Sequence, residues 1–182
     1  CSLQPDRFGA TSASDAWRAG GVVFARADRR FLAVRKSLKE GYDFAGLWAL
    51  PGGMVRGQSD DESFLSTSRK ALSDRFVAET GVQPGPMAPA KILGPVTTAY
   101  WVRGIRRYTV MTVFISEPDG AQEPRTNDRS VSEAAWVEIL PDLSTVAPGN
   151  RLILAHLLWS ELDETQRAEV WPLVSAAHAE CV

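Results

Sequence analysis

At 182 residues with 45% hydrophobic content, the chain suits one core-forming domain of the common ~100–200-residue size. A formal net charge of −2 offers no general attraction to nucleic acid or to an anionic membrane, and no apolar run approaches the ~20 residues of a membrane span. Cys1 and Cys181 stand at opposite ends of the sequence, which suits a reduced, cytoplasmic protein better than a disulfide scaffold.

Residues 1–18 mix Ser, Gly, Pro and charge without period and are expected to form a flexible N-terminal arm. Its leading Cys1 fits a trimmed chain better than a processed lipoprotein. The β-rich runs Val22–Ala27 and Phe31–Arg35, around the polar turn Ala27–Arg30, predict a hairpin. A loop, "SLKEGYDFAG", leads to the short run Leu47–Leu50 and to Pro51-Gly52-Gly53.

A long helix follows. Ser59 with Glu62 three residues on reads as a capping box, with Asp60 and Asp61 adding negative charge to the first turn. Gly81 is the expected left-handed stop. Leu65, Ala71, Leu72, Phe76 and Val77 form an apolar stripe at three- and four-residue spacing, and Arg75 and Glu79 share a neighbouring face.

Beyond the helix, "AKILGPVTTAYWV" and "RRYTVMTVFISE" read as strands joined by the turn "RGIRR", and "EAAWVEI" as another. Between them "PDGAQEPRTNDRSVS" is a turn-rich loop. The stretch "GNRLILAHLLWSEL" predicts a helix capped by Asn150, with His156 packed on its apolar face. A second helix, Glu164 to Ala179, is expected to kink or split at Pro172. Strands on both sides of one central helix, with helices at the end, give an α+β class rather than an alternating β-α-β series. Neither a dinucleotide fingerprint nor a P-loop occurs.

The "GG" after a short strand, the loop, and a helix ending "AETGV" resemble the Nudix box of the Nudix hydrolases. That box runs glycine, five residues, Glu, seven residues, then Arg-Glu-apolar-x-Glu-Glu-x-Gly-apolar. "LWALPGG", "FLAVRKS", "EAAWVEI" and "GNRLILAHLL" fall in the expected order around it, so the resemblance spans Ala19 to Leu158. It implies an α/β/α sandwich with a mixed sheet held between the 59–80 and 150–162 helices. It also implies a Nudix domain over 19–162, with 163–182 as a helical extension. Matching both ends of the box leaves about seven extra residues, close to two helical turns, which lengthens the helix without rotating its face.

The box is depleted in carboxylates. Gln58 or Ser59 stands at the loop Glu, Asp74-Arg75 at Arg-Glu, and Ala78-Glu79 at Glu-Glu. Only Glu79 and the Gly53 carbonyl match groups that bind metal in the family. The resemblance therefore implies a reduced Mg²⁺ (or Mn²⁺) site, similar to that of the GDP-mannose mannosyl hydrolases, which have Ala-Glu at the same place. Arg75 is expected to repel a second cation and to attract a phosphate or Glu79 itself. Asp128 and Glu133 are the carboxylates available as base in the later loop, which has no His. Arg35, Arg56, Tyr100 and Arg107 are the candidate substrate contacts. Asp74, roughly 140° round the helix from Glu79, reads as a surface charge.

The expected function is a Mg-dependent Nudix-type hydrolase of a nucleoside diphosphate linked to another moiety, a nucleotide sugar being favoured. The alternative is a catalytically weak or inactive module that binds a nucleotide metabolite or a protein partner. The expected partner is a nucleotide-type small molecule, without nucleic acid or membrane. Apolar residues of the closing helices, among them Leu157, Trp159, Trp171 and Val174, are expected to pack on the domain or in a homodimer.

Overall fold

Alternation along strand β1 (Trp17–Ala27) decides the architecture. Successive strand residues point to opposite faces, and here both faces are apolar. Val22 and Phe24 belong to one buried cluster, Val23 and Ala25 to another. Such a strand has to be covered from two sides.

The computed structural model describes residues 17–54, 61–91, 96–103, 105–138 and 143–180. Strand β1 therefore begins inside the expected arm, the rest of which lies outside the described residues. It turns through Asp28, in the left-handed region at φ 55°, into antiparallel β2 (Arg30–Lys36), the expected hairpin. β3 (Trp48–Ala49) and β8 (Val131–Glu138) flank β2, both antiparallel to it. β4 (Gly52–Met54) pairs antiparallel with β1. β5 (Ala88–Pro89) and β6 (Val96–Val102) both pair antiparallel with β7 (Ile105–Ser116), which runs parallel to β1. The sheet is mixed, as expected.

Helix α1 (Asp61–Thr80) sets Leu72 and Phe76 against Val23, Ala25, Leu32 and Phe114. Helix α2 (Pro148–Leu158) sets Ile153, Leu154 and Leu158 against Val22, Phe24, Phe31 and Ala33. The helices thus cover opposite faces, which is the expected sandwich. Helix α3 (Glu164–Glu180) adds Val170 and Val174 to the α2 side, so the extension packs on the domain itself. It continues through Pro172 without splitting.

Gly81 ends α1 at φ 69°, its N–H donating to the Val77 carbonyl at 2.7 Å, the expected left-handed stop. The Ser59–Glu62 cap lies outside the described residues. Two expectations for α2 are corrected. Asn150 does not cap the helix: Ala147 holds that position, and the Asn150 side-chain oxygen accepts the Leu50 N–H at 2.8 Å. His156 is exposed, because the buried arc of α2 runs over Leu152 to Ala155 and on to Leu158.

Candidate functional site

The site grows from Pro51-Gly52-Gly53. The Pro51 carbonyl accepts the Val23 N–H at 2.9 Å, which seats this turn against β1, while the Leu50–Asn150 bond ties it to α2. Gly52 lies at φ 145°, where a side chain would collide with the Gly21 carbonyl. Gly53 is required by space: a Cβ there would stand 2.8 Å from Arg75 Nε and 2.9 Å from its Cζ.

Glu79 sits beside this turn, 0% exposed. A bare carboxylate at that depth is costly unless it is paired and hydrogen-bonded. Glu79 meets both conditions. Its Oε2 accepts the Gly52 N–H at 2.8 Å; its Oε1 accepts Lys36 Nζ at 3.0 Å, Arg75 Nη2 at 3.2 Å and Arg75 Nε at 3.3 Å. Arg75 Nε also donates to the Gly52 carbonyl at 3.0 Å. Arg75 and Glu79 are one helical turn apart, so the expected attraction between them is realised.

Lys36 reaches Glu79 by regular alternation: Leu32, Val34 and Lys36 share one face of β2, and Leu32 packs under α1. Arg35 consequently faces away from the site, with its side chain 51% exposed. It donates to the Gly46 carbonyl at 3.0 Å, lies 6.0 Å from the Trp48 ring centre and pairs with Glu133 at 3.9 Å. Glu133 is its cross-strand partner and equally exposed. Neither Arg35 nor Glu133 reaches Glu79.

Asp128 does come close. Its loop is clamped to the end of α1: Asn127 N–H donates to the Ala78 carbonyl at 3.0 Å and Arg125 N–H to the Thr80 carbonyl at 2.7 Å. These carbonyls belong to the last turn, which has no helical donors to use. Burial pushes the Asp128 carboxyl upward, but hydrogen bonds from the Ser130 backbone and hydroxyl, with the charges of Arg75 and Lys36, outweigh it. The net effect lowers the group below its ordinary range.

A cavity of about 590 Å³ opens over this cluster. Lys36, Lys39, Arg75 and Arg129 are its cationic lining; Leu38, Tyr42, Phe44, Met54, Met111 and Ile153 contribute to its apolar walls. Among the described residues, no carboxylate side chain lines it. Lys39, Arg129, Tyr42 and Phe44 carry no motif, and only the folded loop at 37–46 brings them together.

The donor set does not fit a divalent ion. Among the described residues, no group of three or more His, Cys, Asp or Glu side chains could hold a metal. The one fully buried carboxylate already carries two cations, and each unit charge ~4 Å from a fixed cation meets about 4 kcal/mol of repulsion at an effective dielectric near 20. The expected carbonyl ligand is also misplaced. The Gly53 oxygen lies toward Gly20, 2.9 Å from where a Cβ on that residue would stand, whereas the Gly52 oxygen faces Arg75.

The remaining expectations divide simply. Asp74 is a surface charge, paired with Lys70 at 3.7 Å and 71% exposed. Tyr100 and Arg107 are register partners across β6 and β7. Their side chains, and all of Arg56, lie outside the described residues. No helix among the described residues is long and apolar enough to cross a membrane.

The family model of the NUDIX domain matches residues 16–157. Among solved structures, the chain is similar to a MutT NUDIX hydrolase from Burkholderia pseudomallei, at 20% identity and TM-score 0.57, covering 79% of this chain and 99% of that one. It is similar to a MutT protein from Methanosarcina mazei Go1, at 19% identity and TM-score 0.59, covering 82% and 99%. It is also similar to the NUDIX domain of Shewanella oneidensis NrtR complexed with ADP ribose, at 22% identity and TM-score 0.52, covering 88% and 90%. At these identities the likeness is one of fold. Curated proteins give no match.

Proposed function

The chain belongs to the NUDIX domain family, and from that premise we propose that it hydrolyses a nucleoside diphosphate linked to a second group, bound in the cavity over Glu79. The single observation that carries this reading is the lining of that cavity. Four cationic side chains face it beside a largely apolar wall. A diphosphate matches the cations, and a base or sugar face matches the wall. Its volume falls in the ~300–1,000 Å³ range of ligand pockets. ADP-ribose, bound by one structural neighbour, and nucleotide sugars are the substrates of first choice.

In this reading Lys36 and Arg75 bind the diphosphate and neutralise the charge that collects on the leaving phosphate. Glu79 holds both cations in position. Water adds to phosphorus as the bond to the leaving oxygen breaks, and its proton passes to solvent; Asp128, outside the cavity lining, acts through its charge on Arg75 and Lys36. A Mg²⁺ or Mn²⁺ ion, if brought by the substrate's phosphates, would supply further charge neutralisation. No step here is routed through it.

The rival reading is a binding module with little turnover. It draws on the same Glu79 cluster, since a carboxylate held by two cations resembles a binding device as much as a catalytic one. Incubation with ADP-ribose and a panel of nucleotide sugars, with and without Mg²⁺ or Mn²⁺, separates the two. Hydrolysis of any member of the panel by the parent supports the enzyme. Binding without any turnover across the panel supports the module.

A further inference from the structure

The cluster around Glu79 carries a consequence for how the cavity holds its ligand. Lys36 and Arg75 both converge on Oε1 of the same buried carboxylate, at 3.0 and 3.2 Å. Glu79 compensates one positive charge, and Asp128 offsets the other only from outside the cavity lining. Lys36 is only 13% exposed and Arg75 37%, yet both line the cavity. They are therefore fixed at its floor and still turned toward its space.

Their donor capacity points the same way. A lysine ammonium has three N–H donors and a guanidinium five. Among the described residues, the bonds to Glu79 and to the Gly52 carbonyl use one nitrogen of Lys36 and two of Arg75. Lys39 and Arg129, both exposed, add charge to the lining. Gly53 completes the arrangement, because any side chain there would occupy the guanidinium's place.

We infer that Lys36 and Arg75, anchored on Glu79, take the place of a divalent cation in this chain, so that the cavity binds the diphosphate of its ligand directly and without metal. The inference rests on the reading above that the cavity accepts a nucleoside diphosphate. Glu79 is then a positioning residue: it touches the two cations, and they touch the ligand. The site is built for an anion and repels a cation.

Calorimetric titration of the full chain with inorganic pyrophosphate and with ADP, in EDTA and again in Mg²⁺, tests this. The expected result is binding in EDTA, changed by less than roughly threefold when Mg²⁺ is supplied. Arg75→Gln and Lys36→Gln should each weaken it tenfold or more, equivalent to ~1.4 kcal/mol. Both remove a partner of buried Glu79 and could unfold the chain, so Gly53→Ala is the second variant. Its methyl group shifts the flexible end of Arg75 while Glu79, Lys36 and every charge are kept, so pyrophosphate binding should weaken tenfold or more while the chain still unfolds cooperatively. Binding that appears only with Mg²⁺ overturns the inference and leaves the proposed substrate class standing. Absence of binding under both conditions overturns the substrate class as well.

Discussion

At the scale of single residues, Glu79 governs the site. A carboxylate in an exposed helical pair is worth ~0.3–0.5 kcal/mol, but this one is fully buried and bound by Lys36, Arg75 and the Gly52 N–H. Glu79→Gln would leave Lys36 and Arg75 without the buried carboxylate that anchors both. It should cost on the order of 3 kcal/mol in urea unfolding, the scale of a broken buried pair. A loss below half a kcal/mol would contradict the burial argument. Asp128 gives a pH signature. Its folded carboxyl is held below the ordinary value of about 3.8, so the stability it contributes is present above that value and fades as pH falls through the lower folded one. Asp128→Asn should therefore melt below the parent at pH 7 and approach it below about pH 4. An equal gap at pH 7 and pH 3 would count against the Ser130 and cation contacts.

The same residues mark how far the sequence could be read. Glu79 and its attraction to Arg75 were legible, because helical spacing fixes neighbours four apart. Lys36 was not. Alternation from Leu32 puts it on the face that α1 covers, but a lysine at a strand end reads as an exposed charge until the folded chain sets it against Glu79. Gly53 was read as a ligand, while the folded chain uses its missing side chain as room for Arg75. Asn150 looked like a cap by residue type, but its oxygen serves Leu50, about a hundred positions away in sequence. No local pattern carries such a contact.

At the scale of elements, β1 and α1 do most of the organising. Period-two apolar runs made the hairpin legible, and Gly81 made the end of α1 legible; both depend on local backbone physics. Leu72 and Phe76 are buried while Lys70 and Asp74 face solvent, so α1 turns one apolar face to the sheet. Phe76 fills the space between α1 and the sheet. Phe76→Ala should cost ~3–5 kcal/mol, whereas Lys70→Ala, on the outer face, should fall within about 0.5 kcal/mol of the parent. Denaturant midpoints for the pair check the facing of the helix. Comparable losses would mean that α1 is rotated on the sheet.

At the scale of the whole molecule, charge is distributed unevenly. The chain carries −2 overall, yet among the described residues its cavity is lined by four cations and no carboxylate. An anion is thus drawn locally by a protein that repels it weakly at long range, and salt should weaken binding by screening Lys39 and Arg129 more than the sheltered Lys36. The sandwich was legible because strand and helix patterns ran in a family order. The cavity wall was not, since Tyr42, Phe44 and Arg129 come from loops that only the completed fold brings together. The central claim is that side-chain cations occupy the place of a metal, and Mn²⁺ titration of the parent against Arg75→Glu with Ala78→Glu tests it most directly. Removing one cation and adding two carboxylates beside Glu79 on one helical face should let the double variant bind Mn²⁺ at least ~tenfold more tightly than the parent, about 1.4 kcal/mol. A parent that binds Mn²⁺ as tightly as the double variant would contradict the account.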